Sequence, residues 1–309
     1  MNNILKTFNL YFALLLIGSS AFAQNVLVDV NKSYSNIEKL EIEGGWLEVT
    51  YEGGFGDEVQ VEAYLESNDE DQDIVFVTLG NVLKIKYERG SRTVSWGNSK
   101  NNGYIRIKGP ESIQLDVQNS SGSAKISRVN SETTRLKVTS GRITAEDIQG
   151  DLIIGGTSGN LIASIIGGNV TASLTSGRGE ISQVDGDVSY KSTSGSLNAS
   201  DIRGEINVQF TSGRAELENI GALGALKFTS GSMRAENAGL GPNTSFSGSS
   251  GNFRIQTNSN LENFNFDLSA SSGNLRVGNS RGNKSLELDN GAASWVKGKI
   301  TSGSISIEN

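Results

Sequence analysis

Ser-Gly pairs recur along this chain with a regularity that few folds accommodate. Their glycines stand at Gly122, Gly141, Gly159, Gly177, Gly195, Gly213, Gly231, Gly251 and Gly273, at intervals of 19, 18, 18, 18, 18, 18, 20 and 22 residues, and Asn290-Gly291 follows 18 later. A second series, Gly150, Gly168, Gly186 and Gly204, lies 9 residues after members of the first, so each unit has two halves. A fixed short period of this kind is the mark of one small structural unit stacked many times on itself.

The unit Ser196–Gly213, SLNASDIRGEINVQFTSG, shows what is stacked. Ile206, Val208 and Phe210 alternate with Glu205, Asn207, Gln209 and Thr211, the pattern of a strand with one dry face. The first half alternates too, then skips a residue between Ala199 and Ile202, where a bend or bulge is expected. Counting from each Ser-Gly, the fourth place holds Ile126, Ala145, Ala163, Ile181, Ala199, Leu217, Ala235, Ile255, Val277 and Trp295, all apolar. The seventh holds Ile148, Ile166, Val184, Ile202, Ile220 and Ala238, and the fifteenth Phe210, Phe228 and Phe246.

No half-unit can bury its own apolar face, because a lone strand pair is marginal in water. Stacking is therefore obligatory. The reading is an all-β, single-stranded parallel β-solenoid (β-helix) of about 18-residue coils, right- or left-handed, with like side chains repeating about every 4.8 Å. A narrow interior explains the frequent Ala at the fourth place. The inward phase of the three Phe makes them core rather than an aromatic platform. The enlarged coils Ser232–Gly251 and Asn252–Gly273 are expected to protrude, as loop insertions do, and are the first place to look for a partner.

Two segments lie outside the period. Residues 1–23 combine a weakly positive start, the apolar run LYFALLLI and Ala21-Phe22-Ala23 before Gln24, and read as a cleaved secretory signal peptide. This implies export to the periplasm, the outer surface or the medium, and no transmembrane segment is expected in the mature chain. Residues 24–120 keep strand-like runs (LEIEG, WLEVTYEG, VQVEAYL, DIVFVTL, VLKIKYE, YIRIKG, SIQLDV) with turns at Gly44-Gly45, Gly53-Gly54 and Gly80-Asn81. They are read as irregular coils capping the solenoid of residues 121–309, with a separate small sandwich as the alternative. The polar stretch 90–103 reads as an exposed loop.

The run YIRIKGPESIQLDVQNSSGSAKI and the repeated LKVTSGRITAEDI-type units, behind an exported N-terminus, resemble the bacterial family of β-strand-repeat domains of unknown function labelled putative adhesins. The resemblance covers the chain from about Ile37 onwards. It implies a solenoid at the cell envelope and offers no catalytic motif to carry over.

Composition narrows the chemistry further. With 0 His and 0 Cys among 309 residues there is no Ser-His-Asp triad, cysteine nucleophile, disulfide, or ordinary zinc or Fe–S site. The net charge of −7 points away from a nucleic-acid partner. Calcium-filled turns would need a repeated Asp that TSGRITAED and IQGDLIIGG lack. Asp69, Asp71 and Asp73 alternate like the start of an EF-hand loop, but the sixth place is not Gly and the twelfth is Gly80. GGFGDE at Gly53 lacks the third glycine of a dinucleotide fingerprint. An ice-binding face would want paired outward Thr, which Thr211-Ser212 does not provide. Glu146, Glu180, Glu216 and Glu236, interleaved with Arg234, Arg254 and Arg276, read as a solvated face, although a carbohydrate-active β-helix enzyme using Asp and Glu is the alternative. No catalytic, cofactor or metal residue is assigned. The expected function is adhesin-like binding or structure at the envelope, with a surface ligand, glycan or envelope protein as partner.

Overall fold

The computed structural model describes residues 25–90 and 101–309. The signal-peptide reading of residues 1–23 and most of the loop expected at 90–103 lie outside the described residues. Seventeen strands form one open sheet: β1 Asn25–Tyr34, β2 Lys39–Gly45, β3 Glu48–Gly53, β4 Val59–Ser67, β5 Gln72–Leu79, β6 Val82–Arg89, β7 Asn102–Gly109, β8 Gln114–Asn119, β9 Ser123–Val129, β10 Thr133–Ile148, β11 Asp151–Ile166, β12 Val170–Val184, β13 Val188–Thr257, β14 Asn265–Val277, β15 Ser280–Gly282, β16 Ser285–Leu288 and β17 Trp295–Glu308. A single 3-10 turn, Leu261–Asn263, interrupts them among the described residues.

The 18-residue period becomes a pairing register. Gly141 pairs in parallel with Gly159, Gly159 with Gly177, and Gly177 with Gly195. The fourth-place side chains follow: Ile126 pairs with Ala145, Ala145 with Ala163, Ala163 with Ile181 and Ile181 with Ala199, and each is at most 2% exposed. The seventh-place residues and Phe210, Phe228 and Phe246 are buried as well. With ladder neighbours at strand spacing, a mixture of Ala and Ile fills a thin core, and enlarging Ala163 would cost about 1–3 kcal/mol.

Two corner residues shape each coil. At the Ser-Gly corner, a Cβ on Gly159, Gly177 or Gly195 would collide with the carbonyl oxygen of the preceding glycine in the stack, and φ there is 141–154°. Only glycine meets both conditions. The skip between Ala199 and Ile202 is a left-handed residue, Asp201 at φ 56°, and Asp147, Ile165, Gln183, Asn219 and Asn237 occupy the same corner at φ 51–58°.

Residues 25–129 belong to the same sheet. In space the order is β6, β2, β8, β10 along one half of the coil and β7, β3, β9, β10 along the other, all parallel. The fourth-place column therefore continues from Ala145 and Ile126 to Tyr51 and Ile107, although the period has vanished. The expected turns at Gly45, Gly54 and Gly80 carry φ of 60, 89 and 60°. At this end β5 lies antiparallel on β6, β4 antiparallel on β7, and β1 antiparallel on β4.

The other end departs from the sequence reading. β17 pairs in parallel with both β13 and β14, so it lies between them, and β15 and β16 line β14 in the antiparallel sense. Gly303, not Gly291, is the tenth corner glycine, and Ile307, which pairs with Ile255 and Val277, holds the fourth place expected for Trp295. Trp295 instead pairs with Asn265 at the start of β17 and is half-buried. Antiparallel strands thus lie along the outermost parallel strand at both ends, a covering that open parallel edges require.

Candidate functional site

Outward side chains form rows, because residues one coil apart are ladder neighbours. One row is held by side-chain hydrogen bonds at the left-handed corner: Asn219 Nδ2 donates to Asp201 Oδ1 (2.9 Å), Asn237 Nδ2 to Asn219 Oδ1 (2.8 Å) and Asn258 Nδ2 to Asn237 Oδ1 (3.0 Å). A second row joins backbone to side chain, with Asn169 N donating to Asp151 Oδ1, Asp187 N to Asn169 Oδ1 and Glu205 N to Asp187 Oδ1, at 2.7–2.8 Å. These rows lock successive coils in register and occupy the polar groups that make them.

Charge is segregated around the cross-section. The windows 135–142, 153–160, 171–178, 189–196, 207–214, 225–232, 245–252 and 297–304, which bracket the Ser-Gly corner of eight coils, contain no Asp or Glu, whereas the corresponding windows around Gly122 and Gly273 hold Asp116 and Asp267, in register with Arg135 and Lys297. On one flank of that corner stand Lys137, Lys191, Lys227 and Lys299, and on the other Arg142, Arg178 and Arg214, with Arg135 and Lys297 nearby; all are exposed. None of these nine has an ion-pair partner among the described residues. Between the two flanks runs a row of exposed hydroxyls, Thr139, Thr157, Thr175, Thr193, Thr211 and Thr229, resumed at Thr301.

The opposite faces reverse the sign. Ten-residue windows from 143 to 224, and 233–244, hold eleven carboxylates and only two cations, Arg203 and Arg234. Both cations are paired, Arg203 with Asp185 at 2.5 Å and Arg234 with Glu236. An open groove of about 790 Å³ runs over this side, lined by Glu180, Asn198, Glu216 and Arg234 in one row and Ser182, Ser200, Glu218 and Glu236 in the next. The residues read as a solvated face fall in two rows, since Glu146 and Glu236 stand two places beyond Glu180, Glu216 and Arg234 in the unit.

Near the N-terminal end, the row of Lys137 continues through Gln118 to Glu43 and Lys86. A pocket of about 510 Å³ lies beside it, walled by Trp46 and Tyr87, whose rings meet edge to face at 5.9 Å, and reaching Lys137 and Thr139.

The remaining sequence candidates resolve simply. The Phe column is buried, with Phe228 stacked on Phe253 at 4.4 Å, so no aromatic platform exists there. Asp69 accepts from Arg89 at 2.8 Å in the turn between β4 and β5, and no acidic group among the described residues is arranged to hold a metal. The enlarged coil Ser232–Gly251 does not protrude as expected. Leu240 and Gly241 fold inward and are buried, and Thr244 Oγ1 accepts from Gly241 N (2.7 Å) while donating to the Leu223 carbonyl. An inserted apolar residue follows burial rather than solvent. The longer coil Asn252–Gly273 does leave the regular cross-section, in the 3-10 turn Leu261–Asn263.

An open sheet of strand repeats with polar rows outside and, among the described residues, no acidic cluster arranged to hold a metal is the class defined by these features. The chain belongs to the Toastrack DUF4097 family, whose model matches residues 37–308. No curated protein matches it. Among solved structures, a putative adhesin from Parabacteroides merdae is similar at 10% identity and a TM-score of 0.30, covering 91% of this chain and 96% of that one. A putative lipid binding protein from Parabacteroides distasonis is similar at 13% identity and 0.28, covering 91% and 97%. A putative adhesin from Bacteroides fragilis stands at 11% and 0.24, covering 91% and 97%.

Proposed function

We propose that the chain is an exported, non-catalytic protein of the cell envelope or surface: a single-stranded parallel β-solenoid of about 18-residue coils that binds through its polar side walls or serves there as a structural element. In this reading residues 24–120 cap the array of residues 121–309. The observation that carries it is the 18-residue register, which turns each repeated polar residue into a continuous row while the interior stays apolar. Rows of this kind suit an extended partner, a surface glycan or an envelope protein. The signal-like residues 1–23 support export, and no helix among the described residues is long and apolar enough to cross a membrane.

Fractionation of cells expressing the full chain tests the location. Recovery outside the cytoplasm with Gln24 as the new N-terminus is expected, and cytoplasmic residence with Met1 retained would overturn it. Incubation of the mature protein with envelope glycans tests the chemistry. New reducing ends or unsaturated sugars would establish the competing reading, an enzyme working with the carboxylates of the groove at Glu180 and Glu216.

A further inference from the structure

We propose that the Thr-Ser-Gly corner of the stack is a binding site for a linear acidic polysaccharide, a chain bearing carboxylate or sulfate groups, laid along the stacking direction. This deepens the surface-binding reading and rests on it. Charge alone would be weak support, because exposed cations are common and usually solvated. Here the cations are collected on one corner of a chain whose net charge is −7, and they are unpaired while Arg203 and Arg234 on the acidic faces are paired. Unpaired cations held together on a rigid scaffold repel one another, and an anion laid between them relieves that repulsion.

The spacing favours a particular kind of polyanion. Arg142, Arg178 and Arg214 stand in every second coil, and on the other flank so do Lys191, Lys227 and Lys299, the last by way of Ser247. At about 4.8 Å per strand, each flank presents a cation about every 9.6 Å. An extended glycan with one anionic group per disaccharide has a repeat of that order. Between the cations lies the threonine row, whose hydroxyls both donate and accept, as sugar hydroxyls require of a partner. A shallow groove of about 430 Å³ already crosses this face between Lys227 and Lys299, with Thr229 and Thr301 in its wall. Guanidinium groups add bidentate recognition of carboxylate or sulfate.

Other polyanions fit less well. A single-stranded nucleic acid would want exposed rings for its bases, and the aromatic residues of the corner windows, Tyr190, Phe210, Phe228 and Phe246, are all buried. An anionic membrane would want inserted apolar side chains, and Ile153 is the one large exposed apolar residue of those windows.

The test is binding by the mature protein to hyaluronate, with one carboxylate per disaccharide, and to kappa-carrageenan, with one sulfate per disaccharide and no carboxylate, which separate the two groups. Methyl-esterified polygalacturonate and dextran are the neutral arms, and a thymidine oligonucleotide and phosphatidylglycerol vesicles are the other anions. We expect salt-sensitive binding to at least one acidic glycan, strengthening with chain length, and none to the neutral ones. The triple variant R142Q/R178Q/R214Q should weaken it at least about tenfold, from the loss of three charge contacts along one flank. R203Q/R254Q/R276Q, equal in charge change but on other faces, should leave it within about twofold. Circular dichroism of both variants verifies folding, and K191E/K227E/K299E repeats the test on the other flank. Equal binding of neutral and acidic glycans, unchanged affinity in both flank variants, or binding confined to the oligonucleotide or the vesicles would overturn the proposal. Failure here with the protein still found outside the cytoplasm removes the acidic-glycan site alone; cytoplasmic residence removes the surface reading itself.

Discussion

Gly251 and Gly303 pair in register although the whole of β14, β15 and β16 lies between them in sequence, and Gly303 pairs onward with Gly273. The last strand of the chain is thus an inner layer, laid down after the layer outside it. Gly303 sits at φ 136°, and a Cβ there would strike the Gly251 carbonyl, whereas Gly291 at φ 70° has open space around it. We expect Gly303→Ala to destabilise the mature protein by about 3 kcal/mol or more, and Gly291→Ala by about 1 kcal/mol. Thermal unfolding followed by circular dichroism ranks the two, and equal shifts would mean that β17 is not the inserted layer.

Ile165 is the odd member of the left-handed corner. It is β-branched at φ 58° and 44% exposed, where neighbouring coils place Asp147 and Gln183. A branched side chain in this conformation costs about 1–2 kcal/mol, which Asn largely avoids. Ile165→Asn should therefore stabilise by about 1 kcal/mol, read as a raised denaturation midpoint. A lowered midpoint would show that Ile165 packs against something its exposure does not reveal.

The cross-section of the coil was legible in residues such as Ala199 and Ile202: their apolar phase marked the inside, and the single skipped place between them marked the corner now occupied by Asp201. The order of coils was not. Every Ser-Gly corner offers its neighbour the same backbone face, so nothing local tells Gly251 to accept Gly303 rather than Gly273. Asn290-Gly291 fell 18 residues after Gly273 by coincidence and drew the count to Trp295, away from the true tenth corner. The charge pattern was hidden for a related reason. Arg142 and Glu146 are near in sequence, and only stacking assigns one to the unpaired corner and the other to the acidic faces.

The amide ladder through Asn219 combines two roles that substitution can separate. Its backbone is left-handed at φ 55°, and its side chain bonds to Asp201 on one side and Asn237 on the other. Asn219→Gly keeps the backbone and loses only the ladder, so a cost of about 0.5–1 kcal/mol is expected for these exposed bonds. Asn219→Ala adds backbone strain and should cost about 1 kcal/mol more. Asn219→Asp sets a carboxylate against Asp201, and its deficit should shrink as the pH falls through the carboxylate range and the pair is protonated. A deficit independent of pH would place Asp201 elsewhere.

Tyr190 carries a cost inside the core. It is buried beside Phe210, with ring centroids 5.8 Å apart, and its hydroxyl has no hydrogen-bond partner, while the adjacent Ser192 hydroxyl donates to the Ser194 carbonyl at 3.2 Å. Burial pushes its ionisation from the usual 10.0 up to about 12. Removing an unpaired buried hydroxyl while keeping the ring should be neutral or favourable, so Tyr190→Phe is expected to stabilise by up to about 1 kcal/mol at neutral pH. The pH response gives the sign independently. The unfolded chain releases the phenolic proton near pH 10 and the folded one only near pH 12, so stability falls across that window as the pH rises. In Tyr190→Phe that part of the alkaline loss should vanish. Wild-type and variant denaturation midpoints measured from pH 9 to 12 should diverge steadily; parallel curves would mean that water reaches the hydroxyl and that the core is wetter here than the packing of Tyr190 implies.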